Sequence, residues 1–120
     1  MTEEIQNWLS QANEDLDGAQ FNFTGGRYSI AAFMCQQAAE KALKAVLIKQ
    51  TGNFPRIHDL TKLAKDAAAP AAVLECCAKI TPAYTAARYP DIPTKYSRED
   101  CEKLLADAEE VLKWARTNLS

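Results

Sequence analysis

A single histidine, His58, stands among the 120 residues of this chain, and its isolation excludes several chemistries. The common zinc sites need paired Cys or His ligands at close spacing, and no C-x-x-C pair accompanies this imidazole. No Gly-rich phosphate loop, Gly-x-Ser-x-Gly elbow or His-Glu-x-x-His helix occurs either. With four glycines, no strand-like alternation, no internal repeat and no low-complexity tract, β architectures and solenoids drop out. No apolar run approaches the ~20 residues of a membrane span. The N-terminus is acidic and polar rather than signal-like, so the expected setting is the cytoplasm, with no membrane contact. A net charge of −2 lacks the clustered positive charge of a dedicated nucleic-acid binder. The four cysteines, Cys35, Cys76, Cys77 and Cys101, read as structural free thiols on apolar helix faces, where burial makes poor nucleophiles.

What is present is helical periodicity. The length suits one domain over residues 1–120, enough to bury roughly two thirds of the unfolded surface. The stretch Tyr28–Lys49 organises the rest. Wound at roughly 100° per residue, its alanines with Met34, Cys35, Leu43 and Val46 fill about half the circumference. Such an arc exceeds the need of one neighbour and marks a central helix touching several others. Before it, Ile5, Trp8, Leu9, Ala12, Leu16, Ala19 and Phe23 define a first helix from about Thr2, a candidate N-cap, to Gly25-Gly26. Asn7, Gln11, Glu14 and Asp15 occupy its other side. After Gly52 and Pro55 come a short helix around Leu60–Ala67 and a fourth beginning with Pro70 in its first turn. Pro82 kinks or breaks that fourth helix. Ser97 caps a last helix whose stripe runs from Cys101 to Leu119. The expected fold is an all-α, antiparallel up-and-down bundle of four long helices and one short one.

Polar residues gather in a few places. Gln36, Gln37, Glu40, Lys41 and Lys44 share the other side of the central helix. They form either a functional strip or a solvated face with Glu40–Lys44 as an i, i+4 ion pair. His58 and Asp59 follow a turn, where either suits the cap of the short helix. Tyr84 and Arg88 are four apart and share a helix side if helix persists past Pro82. Tyr89 and Asp91 follow, with Asp91 available to Arg88 inside a segment stiffened by Pro90 and Pro93. Arg88 is expected to face a concave polar site near Glu40 or Lys44.

The ordered set Trp8, Asp15-Leu16, Ala19, Tyr28, Gln36-Gln37-Ala38-Ala39-Glu40-Lys41-Ala42-Leu43-Lys44-Ala45, His58-Asp59-Leu60 and Ala87-Arg88-Tyr89-Pro90-Asp91 resembles the HEPN domain (higher eukaryotes and prokaryotes nucleotide-binding). The resemblance spans nearly the whole chain. It implies a helical bundle, commonly a homodimer, of the stand-alone prokaryotic type encoded beside a minimal nucleotidyltransferase in toxin–antitoxin-like pairs. Other branches of that family are metal-independent ribonucleases carrying Arg followed four to six residues later by His. That spacing is missing here, since no histidine follows Arg88 or Arg116.

The resulting expectation is a nucleotide-binding and interaction module, non-catalytic alone, partnered by a nucleotidyltransferase. The alternative is an atypical ribonuclease with a site at a dimer interface. The candidate site comprises Gln37, Glu40, Lys41, Lys44, His58, Asp59, Tyr84, Arg88, Tyr89 and Asp91, with no catalytic residue and no metal assigned. A nucleotide is the one ligand implied, and RNA is the less favoured one. A homodimer is expected from the wide apolar arc together with off-stripe Phe33 and Trp114.

Overall fold

A computed structural model describes residues 1–89 and 95–120. Asp91, Pro90 and Pro93, and with them the expected Arg88–Asp91 loop, lie outside the described residues. Among the described residues the fold is all-helical: α1 (Glu3–Thr24), α2 (Tyr28–Thr51), α3 (Leu60–Asp66), α4 (Ala71–Ile80), α5 (Pro82–Arg88) and α6 (Arg98–Leu119). None of these helices is long and apolar enough to cross a membrane.

The boundaries follow from local chemistry. The Thr2 hydroxyl accepts from the Ile5 N–H and caps α1. Gly26, at φ +78°, turns the chain into α2, and Gly52, at φ +82°, ends α2 in the left-handed conformation that glycine adopts without a Cβ clash. Ser97 and Asp100 form a reciprocal capping box at α6. One expectation shifts and one holds. Pro70 is the extended N-cap of α4 rather than its first helical residue. Pro82 divides the expected fourth helix into α4 and α5, serving as the first residue of the second piece, where its missing N–H costs little.

The central helix packs against every other helix of the described fold. Ala31, Ala32, Cys35, Ala38, Ala39, Ala42 and Ala45 are all fully buried, because alanine lets neighbouring backbones approach on several sides. The apolar arc is thus covered within one chain. Phe33 leans on Tyr84 with ring centroids 6.2 Å apart, and Trp114 packs partly buried against the core. The arc therefore supplies no argument for a dimer.

The polar side of α2 differs from the solvated alternative. Gln36 is completely buried, and Glu40 and Lys44 are each 5% exposed. Asp15, placed on the outer side of α1 by periodicity, is buried too and pairs with Lys41 at 2.6 Å. Periodicity within one helix cannot report what a second segment lays over its polar strip.

Close packing around the alanines makes a sharp expectation. Ala39→Leu should destabilise the protein by about 1–3 kcal/mol through overpacking, measured as a lowered urea midpoint with an unchanged m-value.

Candidate functional site

The segment between α2 and α3 folds back over the polar strip. Phe54 meets Trp8 of α1 edge to face, with centroids 5.0 Å apart. The Lys44 ammonium lies 5.2 Å from the Phe54 ring centre and 5.9 Å from that of Trp8. These two rings cover the lysine, and cation–π attraction offsets part of its lost hydration. Its charge is met by Glu40, whose Oε2 accepts from Lys44 Nζ at 2.9 Å.

The second Glu40 oxygen, Oε1, accepts from Gln36 Nε2 at 3.0 Å and lies 2.9 Å from His58 Nδ1. Gln36 Nε2 also donates to the His58 main-chain carbonyl at 3.1 Å, while Gln36 Oε1 accepts from Gln37 Nε2 at 2.7 Å. Among the described residues no buried side-chain polar atom lacks a partner. Burial would push the Glu40 carboxyl upward; the hydrogen bonds from Lys44, Gln36 and His58, with the Lys44 charge, outweigh it and hold the group below its ordinary value of 4.5.

Above this buried base the arrangement opens to solvent. The His58 side chain is 49% exposed and stacks on Tyr84 at 4.2 Å between centroids and 16° between planes. The Arg88 guanidinium lies 5.1 Å from the same ring centre. Arg88, Tyr84, His58 and Glu40 therefore form a continuous chain from the surface into the interior. Tyr84 reaches this position because α5 resumes immediately after the Pro82 break, and Arg88 follows one turn later on the same side. Two surface clefts flank the network, of about 370 Å³ beside Trp8 and Lys41 and about 470 Å³ beside Phe54. Neither is lined by His58 or Arg88.

The structure sorts the sequence candidates. Glu40, Lys44, His58, Tyr84 and Arg88 come together, with Gln37 attached at the edge. Arg88 contacts Tyr84 on the outside and reaches Glu40 only through Tyr84 and His58. Lys41 is committed to Asp15, which also accepts from Gln11 at 3.0 Å. Asp59, not His58, caps α3, accepting from the Thr61 and Lys62 N–H groups. Tyr89 ends α5 with an exposed ring, and Asp91 lies outside the described residues.

Sequence reasoning did not assign Trp8, Phe54 and Gln36 to the site. Trp8 falls on the apolar stripe of α1 and Phe54 in a turn, so neither pattern signals a role beside a buried ion pair. The thiols are apart from the site chemistry: burial pushes Cys35 and Cys77 up to about 12 and Cys76 to about 11.

The family model of the HEPN domain matches residues 5–118. The chain belongs to the HEPN family. Solved structures agree in fold over nearly the full length. TT1696 from Thermus thermophilus is 28% identical with a TM-score of 0.89, covering 98% of this chain and 99% of its own. ST0689, described as an archaeal HEPN homologue, is 32% identical with a TM-score of 0.85 over 100% of both chains. The HEPN domain protein TM0613 from Thermotoga maritima is 25% identical with a TM-score of 0.78, over 94% and 97%. No curated protein matches this chain. In this HEPN domain, Gln36, Glu40 and Lys44 of the central helix form the buried base on which His58 rests.

Breaking that base should be costly, whereas replacing it whole should not. Lys44→Ala leaves a buried carboxylate without its counter-charge and should cost about 3–5 kcal/mol, whereas Glu40→Leu with Lys44→Met should stay near wild type. Urea titrations at neutral pH check both. The lowered Glu40 value adds a pH signature. Its contribution is present above 4.5 and is lost as pH falls through the lower folded-state value. The double variant, having no carboxyl there, should lack that component in melts recorded from neutral to acid pH.

Proposed function

We propose that this protein is a nucleotide-binding and interaction module, non-catalytic alone, that works with a minimal nucleotidyltransferase in a toxin–antitoxin-like pair. The observation carrying the nucleotide reading is the junction of Arg88 and His58 on the Tyr84 ring. An arginine fork and an imidazole, each held against the same tyrosine ring, are both groups that suit a phosphate oxyanion, since charge-assisted hydrogen bonds are the strong ones. His58, Arg88 and Phe33 already engage Tyr84, so exposed Tyr89 is the better surface for stacking a base. The nucleotidyltransferase partner and self-association as a homodimer rest on the family resemblance.

One observation favours a second reading. His58 and Arg88 both engage the Tyr84 ring within a single chain, without the Arg…His spacing of the ribonuclease branches. Metal-free RNA cleavage needs a base for the 2′-hydroxyl, an acid for the leaving oxygen and positive charge at phosphate. His58 supplies one proton-transfer group. Glu40 is engaged by Lys44, Gln36 and His58, and Arg88 stays protonated and shuttles no proton.

Two outcomes are expected. In calorimetry with AMP, Arg88→Ala and His58→Ala should each weaken binding about tenfold, with Arg88→Lys intermediate because lysine keeps charge and loses the fork. Undiminished affinity in both alanine variants would move the nucleotide site elsewhere. Incubated with single-stranded RNA, the purified protein should leave it intact. Robust cleavage abolished by both His58→Ala and Arg88→Ala would establish the ribonuclease reading instead.

A further inference from the structure

From the Glu40–His58 contact we infer that Glu40 is the positioning residue of the surface site, holding His58 as the Nδ1–H tautomer so that Nε2 is the atom presented to a ligand. The inference rests on the nucleotide-binding reading for its purpose but on the buried network for its geometry. A carboxylate can only accept hydrogen bonds. Glu40 Oε1 stands 2.9 Å from His58 Nδ1, so the ring nitrogen must carry the proton in that contact. Gln36 fixes the other end of the residue, donating to the His58 main-chain carbonyl. Tyr84 fixes the ring plane by stacking nearly parallel to it. Tautomer, tilt and backbone are thereby set by three different side chains.

Lys44 has a part in this arrangement. An unneutralised carboxylate below a phosphate site would repel the anion. The Lys44 ammonium at 2.9 Å from Glu40 cancels that charge, and Trp8 and Phe54 keep the lysine inside rather than beside the ligand. Glu40 can then orient the imidazole without opposing what the imidazole binds. A ligand phosphate meeting Nε2 requires that nitrogen to donate as well, and Glu40 accepts from Nδ1 whether or not Nε2 carries its proton.

The test exploits the single histidine, which makes the imidazole signals of tag-free, ¹⁵N-histidine-labelled protein unambiguous. Spectra recorded at a pH where the ring is neutral should show Nδ1 with a pyrrole-like shift and Nε2 with a pyridine-like one. This is the reverse of the tautomer that free histidine side chains favour in water. Glu40→Asp keeps the charge beside Lys44 but draws it back by one methylene, and should yield a tautomer mixture. The Glu40→Leu/Lys44→Met variant, if helical by circular dichroism, should revert to Nε2–H. A wild-type spectrum dominated by Nε2–H, or an unchanged Nδ1–H signature in the variants, would overturn the inference. AMP calorimetry on Glu40→Asp supplies the functional arm, with an expected loss of about three- to tenfold. If wild type fails to bind AMP while showing the Nδ1–H tautomer, the nucleotide reading fails and the positioning role stands. Binding with the opposite tautomer sinks the positioning role alone.

Discussion

The Glu40–Lys44 pair is the constraint on which the rest of the structure turns. Two opposite charges one helical turn apart would contribute little in water, where such pairs are worth a few tenths of a kcal/mol. Here they are enclosed, with side chains only 6–7% exposed. An enclosed pair must satisfy its hydrogen bonds or cost far more than it returns. That demand explains the neighbours: Gln36 and His58 complete the carboxylate, and Trp8 and Phe54 cover the ammonium. The segment between α2 and α3, which has no helical hydrogen bonds to define it, is placed by these contacts.

The same arrangement links stability to the candidate site. His58 belongs to both the interior network and the exposed stack, so ordering the pair also orders the surface. Arg88 and Tyr84 come from α5, a helix of seven residues that exists separately because of Pro82. The proline break gives the chain its own helix start, which sets Tyr84 on the histidine, and the Tyr84–Arg88 spacing then brings Arg88 against the tyrosine. Several weakly determined elements, a turn segment, a short helix and a broken one, are gathered around one buried charge pair. HEPN membership accounts for the bundle; this local chemistry accounts for where a polar ligand would meet it.

Much of this was legible from residue order alone. Helix content, the central position of α2, the caps at Thr2 and Ser97 and the interruption at Pro82 follow from periodicity and local backbone chemistry. Those rules act within a few residues and need no knowledge of the fold. The cluster Gln36–Glu40–Lys44 was also visible as a strip, because positions four apart share a helix face. Its burial was not, and neither was the tie between Asp15 and Lys41. A polar strip has the same spacing whether water or another segment covers it.

What the amino-acid sequence determined by itself was the set of helices, their caps and breaks, and the apolar faces that must meet. Only the tertiary structure decided that Trp8 and Phe54 enclose Lys44, and that His58 joins Glu40 to the Tyr84–Arg88 stack. The reason is physical. Secondary structure is governed by interactions between residues a single turn apart. These contacts instead join residues far apart along the chain, and arise only when separate helices compete to satisfy one buried charge pair.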